Sequence, residues 1–183
     1  KTGSAEFSYT DLYYGLKLQL PLYLAAVAAA DDAAHRALPA GFYYLPVKTP
    51  VLEEGLSGEA LLKEVQKAFR LRGVSLKNAE LLEAGGGPSV APEKGTGVLD
   101  PEDFSAVAEF ARRKAAQTAE AVRTGRAETA PYRKSKRDTA CARCDYASVC
   151  GFDPTFGGCT YRSVRTVKAD AFLEEARHET VDE

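Results

Sequence analysis

The feature that most constrains this chain is a group of three cysteines, Cys141, Cys144 and Cys150, near its C-terminus. Thiols at this spacing converge on one centre when the chain wraps around it, and thiolate ligands favour zinc or an iron–sulfur cluster. A four-thiolate site needs one more sulfur than this group supplies. The spacing therefore predicts a clasp whose fourth ligand lies far away in the sequence, and it leaves zinc and iron–sulfur equally open.

Composition is that of an ordinary globular protein. The chain has 183 residues, of which 45% are hydrophobic and 27% charged, and its formal net charge is −2. This length holds one domain with a hydrophobic core, and a weakly negative chain contacts nucleic acid only through local basic patches. Four cysteines, three of them clustered, favour metal binding in a reducing compartment over a disulfide framework, so we expect a cytoplasmic protein.

An apolar stretch from Leu16 to Ala30 resembles the central region of a signal peptide. Lys17 and Gln19 interrupt it, and the remainder is too short to span a bilayer. We therefore expect a buried helix and no membrane contact. Because the sequence contains no methionine and starts at a lysine, we also expect the C-terminal piece of a longer protein.

Patterns typical of helices and strands alternate along the chain. Apolar residues at helical spacing predict one helix from Thr10, its N-cap, to about Ala30, with Pro21 kinking it or displacing its start. Strands are expected at 41–48 and 69–77, the second with a bulge at Gly73. Interleaved strands and helices favour an α/β layout.

Three further helices are expected. One follows Ser57, and a short acidic one starts at Ala169. The strongest signal is Asp100-Pro101-Glu102, which combines a cap, a proline at the first helical position and an acidic first turn, and this helix should stop at Gly125. Its inward face is predicted to carry Phe104, Val107, Ala108, Ala111, Ala115 and Val122.

Gln19 and Tyr23 are four residues apart, so a helix places both on one face. That face also carries Leu16, Leu20 and Val27. Spacing alone therefore favours a core glutamine with satisfied hydrogen bonds over a functional pair.

A basic run, Arg133, Lys134, Lys136 and Arg137, precedes the cysteines. It is equally compatible with a patch that follows a DNA backbone and with a solvated loop. Tyr132 and Tyr146 flank the region, and a packing role is favoured for them over stacking on bases.

Taken in order, these motifs resemble the RecB-like nucleases of the PD-(D/E)xK superfamily, and within it the AddB-type subunits of AddAB helicase–nucleases. The resemblance rests on Lys1-Thr2-Gly3, the segment 14–24, and the cysteine segment that ends in Gly151-Phe152-Asp153-Pro154 and is followed by Tyr161-Arg162. In that family Lys1 ends an acidic-x-Lys element, and a Gln-x-x-x-Tyr element matches Gln19 and Tyr23. The resemblance thus implies catalytic roles for Lys1, Gln19 and Tyr23.

The implied fold is restriction-endonuclease-like, a mixed sheet flanked by helices with a C-terminal iron–sulfur cysteine knot. The whole chain, 1–183, is expected to be the C-terminal portion of one nuclease domain: core at 1–130, basic and cysteine-rich clasp at 131–165, helix and tail at 166–183. The resemblance assigns a 4Fe-4S cluster to Cys141, Cys144 and Cys150, with the fourth ligand upstream of this chain. Cys159 is interpreted as a bystander, which could take the place of the missing ligand when the upstream segment is absent.

The implied activity is that of a Mg²⁺-dependent DNA exonuclease in double-strand-break processing, with DNA and an AddA-type helicase–nuclease subunit as partners. The family's metal-binding carboxylates precede Lys1. Those present, Glu6, Asp11, Asp31 and Asp32, are interpreted as caps and solvated surface. Alternatives are a stand-alone iron–sulfur exonuclease of the same superfamily, or a non-catalytic DNA-binding or scaffolding module with a zinc or iron–sulfur site.

Overall fold

A computed structural model of the chain describes residues 6–29, 39–47, 51–52, 54–55, 57–84, 97–126 and 128–178. Two short helices lead into a three-stranded sheet, a long helix crosses it, and a cysteine-rich segment precedes the last helix. The elements in chain order are α1 (Tyr9–Tyr13), α2 (Gln19–Ala29), β1 (Gly41–Tyr44), α3 (Gly58–Ala68), β2 (Arg72–Leu76), α4 (Ala79–Ala84), β3 (Val98–Leu99), α5 (Pro101–Arg123), β4 (Tyr132–Arg133), α6 (Ala147–Cys150), β5 (Arg162–Ser163) and α7 (Ala169–His178).

The main sheet is mixed, in the order β1-β2-β3. β1 runs antiparallel to β2 with Tyr43 opposite Gly73, and β3 runs parallel to β2. The register is continuous through Gly73, so the predicted bulge is wrong. Glycine is needed there for another reason: a Cβ on Gly73 would collide with the carbonyl oxygen of Phe42 on the neighbouring strand.

The N-terminal segment forms two helices where one was predicted. Gly15 follows α1 with φ of 73°, a left-handed conformation that glycine adopts readily, and the chain restarts as α2. Pro21 lies in the first turn of α2, where its missing N–H costs no hydrogen bond, so it does displace the helix start. The N-cap of α1 is Ser8, whose hydroxyl accepts from the Asp11 N–H, and the prediction of Thr10 is wrong.

The long helix α5 begins as predicted, with Asp100 as N-cap and Pro101 at the first helical position. Its buried residues are Phe104, Ala106, Val107, Phe110 and Ala111. Val122 is 74% exposed, so its predicted inward position is wrong. The last turns of α5 extend past the apolar core, which explains why the buried face stops there.

The C-terminal helix α7 completes the core. Phe172 is fully buried, and its ring meets that of Phe110 edge-on with centroids 4.9 Å apart. The ring of Tyr9, on α1, also packs against Phe172, with centroids 5.3 Å apart. Helices therefore cover the small mixed sheet, which confirms an α/β fold. Among the described residues, no helix combines the length and apolar character needed to cross a membrane.

Candidate functional site

Gln19 and Tyr23 do share a face of α2. The Gln19 side-chain amide donates a hydrogen bond to the Tyr23 hydroxyl, with 2.8 Å between Nε2 and Oη. Gln19 is exposed and Tyr23 is 57% exposed. The prediction of a satisfied core glutamine is therefore wrong, because the buried side of α2 is formed instead by Pro21 and Leu24.

Because both side chains are exposed, Gln19 and Tyr23 keep hydrogen-bond donors and an acceptor that their mutual hydrogen bond does not use. A glutamine amide carries two N–H donors and a carbonyl acceptor, and a tyrosine hydroxyl that accepts one hydrogen bond still has its own proton to donate. The hydrogen bond holds the two side chains together at the protein surface. The arrangement suits contact with a polar ligand that arrives from solvent. Lys1, the third predicted catalytic residue, lies outside the described residues, as do Asp31 and Asp32.

The cysteine-rich segment forms an arm, defined here as residues 131–168, that leaves the core and returns to the same place. Its two short strands pair in parallel, with Tyr132 opposite Arg162. Between them the chain makes a 3₁₀ turn at Ala140–Arg143 and the short helix α6. None of the described residues of the arm is buried.

Both ends of the arm rest on α1. At the returning end, the Val167 N–H donates to the Thr10 hydroxyl at 2.9 Å, and that hydroxyl lies 3.3 Å from the Val167 carbonyl oxygen, to which it donates. The Arg165 N–H donates to the Tyr14 hydroxyl at 3.3 Å. At the outgoing end, Lys134 forms an ion pair with Asp11. The arm is thus fastened by polar contacts to the segment that directly precedes α2.

Asp11 is buried, at 4% exposed, which corrects its interpretation as a cap or a solvated carboxylate. Its two oxygens meet two ammonium groups: Lys17 at 3.2 Å on Oδ2, and Lys134 on Oδ1. Lys17 also donates to the Glu6 carbonyl oxygen at 2.9 Å. A buried carboxylate needs such partners, because its charge is costly to remove from water. The Glu6 side chain is exposed and lies 4.0 Å from Arg72.

A cavity of about 580 Å³ opens beside this ion-pair group, between α1 and the arm. Its walls combine the N-terminal segment, the two lysines and the returning end of the arm. The lining residues are Glu6, Phe7, Ser8, Thr10, Asp11, Lys17, Lys134, Val164 and Thr166.

The cysteines sit on consecutive turns of the arm. Thr139 caps the 3₁₀ turn that carries Cys141, accepting from the Ala142 N–H at 3.1 Å, and Cys150 ends α6 before Gly151, which has φ of 63°. All four thiols are free; Cys144 and Cys150 are exposed, and Cys141 and Cys159 are half-buried.

This donor set suits a thiophilic metal, because three accessible thiols lie within ten residues of one another. Within the part of the chain that the structure describes, however, no three cysteine, histidine or acidic side chains are arranged to hold a metal ion. Convergence of the thiols on one centre, and the choice between zinc and iron–sulfur, therefore remain predictions.

A small aromatic cluster supports Cys141. The Tyr161 ring packs edge-on against Phe152 with centroids 4.8 Å apart, and the Arg133 guanidinium lies 4.9 Å from the Tyr161 ring centre. Loss of solvent raises the pKa of the Tyr161 hydroxyl, and its hydrogen bond with the Cys141 thiol raises this pKa further. Tyr161 thus contacts both Phe152 and Cys141, the first of the three clustered cysteines.

The basic run divides into two parts. Lys134 and Arg133 are already engaged, by Asp11 and by the Tyr161 ring. Lys136 and Arg137 lie exposed on a turn closed by the Asp138 N–H, which donates to the Ser135 hydroxyl at 3.1 Å. Tyr146 is 73% exposed, so its interpretation as a packing residue is wrong.

Comparison with known proteins agrees with the motifs. A family model described as the PD-(D/E)XK nuclease superfamily matches residues 1–151, most of the chain. The chain belongs to the PD-(D/E)XK nuclease superfamily. The matched segment contains Lys1, Gln19, Tyr23 and the three clustered cysteines.

Its relatives within the superfamily are large AddB-type proteins, each named as a subunit of an ATP-dependent helicase/deoxyribonuclease. The relative from Alkaliphilus metalliredigens (strain QYMF) is 29% identical over an alignment of 197 positions that covers 98% of this chain and 17% of the relative. Proteins of the same name from Moorella thermoacetica and Desulforudis audaxviator are 32% and 33% identical, over 93% and 92% of this chain and 16% of each relative. The chain therefore spans about a sixth of the length of these relatives.

Sequence reasoning missed the residues that fasten the arm in this PD-(D/E)XK chain. Thr10 and Asp11 were interpreted as helix-start residues, and Lys17 only as an interruption of an apolar stretch. One signal was available: a lysine within an apolar segment needs a partner, and Asp11, six residues earlier, supplies one. Nothing in the sequence pointed to Val167 as the partner of Thr10, since 157 positions separate them.

Proposed function

We propose that this chain is the C-terminal part of a nuclease domain that hydrolyses phosphodiester bonds in DNA with the help of Mg²⁺. The observation that carries the proposal is the exposed Gln19–Tyr23 pair on α2, in a chain that belongs to the PD-(D/E)XK superfamily. A glutamine held by a tyrosine at the surface, with donors and an acceptor left over, is built to contact a passing ligand.

In this proposal Lys1 acts on the reacting groups, and Gln19 and Tyr23 bind the DNA strand. Lys1 orients the attacking water or stabilises the negative charge that develops on the scissile phosphate. Gln19 and Tyr23 position the DNA strand by hydrogen bonds, and such alignment of the reacting groups lowers the barrier. Mg²⁺, bound by carboxylates that precede Lys1, would supply Lewis-acid stabilisation of the phosphate and an activated water.

We further propose that Cys141, Cys144 and Cys150 bind a 4Fe-4S cluster together with a cysteine upstream of this chain. Such a cluster joins distant segments and reduces the conformational entropy of the unfolded chain, so its role is structural. The exposed arm supports this proposal, because it lacks buried residues of its own among those described.

The relatives are named as subunits of an ATP-dependent helicase/deoxyribonuclease. We propose that this chain likewise works in the cytoplasm beside an AddA-type helicase–nuclease subunit, degrading one strand as an exonuclease during double-strand-break processing. Lys136 and Arg137, exposed on the arm, provide contacts to the DNA backbone that require no particular base sequence.

The test uses the full-length protein in its complex with a partner subunit whose own nuclease site has been inactivated, so that cleavage reports on this chain alone. Gln19→Ala and Tyr23→Phe should each lower Mg²⁺-dependent DNA cleavage by about 10²-fold, the scale of a misaligned reactive group, without changing the melting temperature. Gln66→Ala is the matched control, since Gln66 is an exposed glutamine on α3. Cleavage by Gln19→Ala at the wild-type rate would exclude the proposed role of the pair. A wild-type protein that binds DNA without cutting it would favour the scaffolding alternative.

A further inference from the structure

We propose that the cavity between α1 and the arm binds a backbone phosphate of a DNA strand, with Lys17 and Lys134 as its ligands. This inference rests on the proposed function, because it assumes that a DNA strand passes this face. It adds a contact point that lies apart from the Gln19–Tyr23 pair, and it gives Lys17 a role.

The geometry gathers two cations at one place. Lys17 and Lys134 approach different oxygens of the same carboxylate, that of Asp11, so both ammonium groups lie beside one buried group. Each lysine side chain is 30% exposed, whereas that of Asp11 is 6% exposed. The carboxylate therefore acts as an inner support, and the ammonium groups form the outer wall of the cavity.

The charges do not balance. Two ammonium groups face one carboxylate, which leaves one positive charge in a half-buried position. Glu6 also lines the cavity, but its carboxylate is 70% exposed and its ion-pair partner is Arg72, on β2. A half-buried excess charge is unfavourable without a counterion. A phosphodiester carries one negative charge and would neutralise this group.

Hydrogen-bond donors and space are both available. An ammonium group has three N–H donors. Contacts among the described residues account for two donors of Lys17, to Asp11 and to the Glu6 carbonyl, and for one of Lys134. The cavity of about 580 Å³ lies within the range of about 300–1,000 Å³ typical of small-ligand sites, so it has room for a phosphate with its sugar.

The position also suits a strand that continues along the arm. Lys136 and Arg137 follow Lys134 within three residues and are exposed. A backbone held at the cavity thus has further cations close by, and phosphate contacts of this kind set the position of a strand without reading its sequence.

The first experiment labels lysines in the full-length protein with an acetylating reagent, in EDTA, with and without a single-stranded oligothymidylate, and reads each site by mass spectrometry. We expect Lys17 and Lys134 to lose reactivity several-fold when the oligonucleotide is bound. Lys63 and Lys67, on α3, are internal controls whose labelling should not change. Unchanged labelling of Lys17 in a protein that binds the oligonucleotide would overturn the inference.

Charge variants then separate a phosphate site from a purely structural ion pair. Lys17→Gln should weaken oligonucleotide binding and make the slope of log K against log salt shallower by about 0.7, the value for one lost phosphate contact on a single strand. Asp11→Asn keeps both lysines, so binding should be unchanged or tighter. A loss of binding in Lys17→Gln with an unchanged salt slope would show that the group only fastens the arm. Lys63→Gln is the matched control.

The outcomes also distinguish this inference from the proposed function. A wild-type protein that cleaves DNA while Lys17 stays fully reactive disproves the phosphate site alone. A wild-type protein that protects Lys17 but never cleaves DNA with Mg²⁺ disproves the nuclease proposal and leaves the phosphate site standing. Absence of oligonucleotide binding together with absence of Mg²⁺-dependent cleavage overturns both.

Discussion

The core and the arm of this molecule are held together in opposite ways. In the described part of the chain every buried apolar side chain belongs to the core elements, and the arm contributes none. The core is built on rings and aliphatic groups from α1, α5, α7 and the sheet. The arm depends on a few hydrogen bonds, one ion pair and, in our proposal, a metal cluster.

This difference shows that burial of apolar surface, which dominates folding energetics, acts mainly in the core; on the arm, Val167 at the returning end packs against the core but is only partly buried. The arm has to be stabilised by specific polar contacts that each contribute about 1 kcal/mol, or by a cross-link. Changes in the two regions should therefore have different consequences: global unfolding in the core, and local opening in the arm.

The largest effect is expected from Phe110→Ala. Phe110 is 2% exposed and packs against Phe172, so truncation should lower the free energy of unfolding by about 3–5 kcal/mol. Phe156→Ala, at a ring that is 68% exposed on the arm, should change it by less than about 0.5 kcal/mol. Urea denaturation of the full-length protein measures both, and equal losses would contradict the contrast between the regions.

Cys144→Ser tests whether the arm has its own cross-link. Loss of the proposed cluster should remove bound iron and visible absorption, and should destabilise the arm by about 2–4 kcal/mol, as for other cross-links. Trypsin should then cut at Lys136 and Arg137 much faster, while the core stays folded. Cys159→Ser is the matched control and should retain iron and resistance to trypsin. Normal iron content in Cys144→Ser would count against this cysteine as a ligand.

Alkaline pH tests the core through Tyr9. Burial, and secondarily the charges of Asp103 and Asp170, raise the pKa of Tyr9 from 10.0 to about 12. The folded protein holds this proton more tightly than the unfolded chain does. The contribution of Tyr9 to the free energy of unfolding is therefore complete below pH 10 and is lost as the pH rises towards 12.

Because Tyr9 is partly exposed to solvent, its contribution to the free energy of unfolding is about 1–2 kcal/mol. Tyr9→Phe should therefore flatten the fall in stability between these pH values, as measured by denaturation at a series of pH values. Tyr146→Phe, on the exposed arm, should not flatten it. An identical pH profile for Tyr9→Phe and the wild type would refute this assignment.

The smallest effect is expected from Thr10→Val. This change removes the hydroxyl that accepts from the Val167 N–H, which should cost about 1 kcal/mol and speed hydrogen exchange of that amide about fivefold. Thr118→Val is the control, because the Thr118 hydroxyl donates within α5, to the Lys114 carbonyl. If the Val167 amide exchanges at its wild-type rate, the hydroxyl does not fasten the arm.

Features set by neighbouring residues could be predicted from the sequence. The start of α5 at Asp100 and Pro101 was predicted correctly, because cap and first-turn preferences act over a few residues. The split between α1 and α2 was missed because it depends on the left-handed conformation of Gly15. Glycine adopts left-handed and right-handed conformations about equally readily, so the sequence does not predict which one occurs.

The orientation of α2 was wrong for a related reason. Once the helix restarts at Gln19, packing against α5 decides which side is buried, and that contact is between distant segments. The burial of Asp11 and Phe110 was missed for the same reason, since their partners Lys134 and Phe172 lie far along the chain. The family resemblance predicted functional roles for Gln19 and Tyr23, which stay predictions, whereas spacing alone favoured a core role.

The parallel pairing of β4 with β5 has one more consequence. The two strands run in the same direction, so the chain between them crosses back from the end of β4 to the start of β5, and this crossover can change in length without rerouting any other part of the polypeptide. Insertions and deletions among relatives should therefore concentrate between these two strands, outside the segment 141–150, whose spacing the proposed cluster requires.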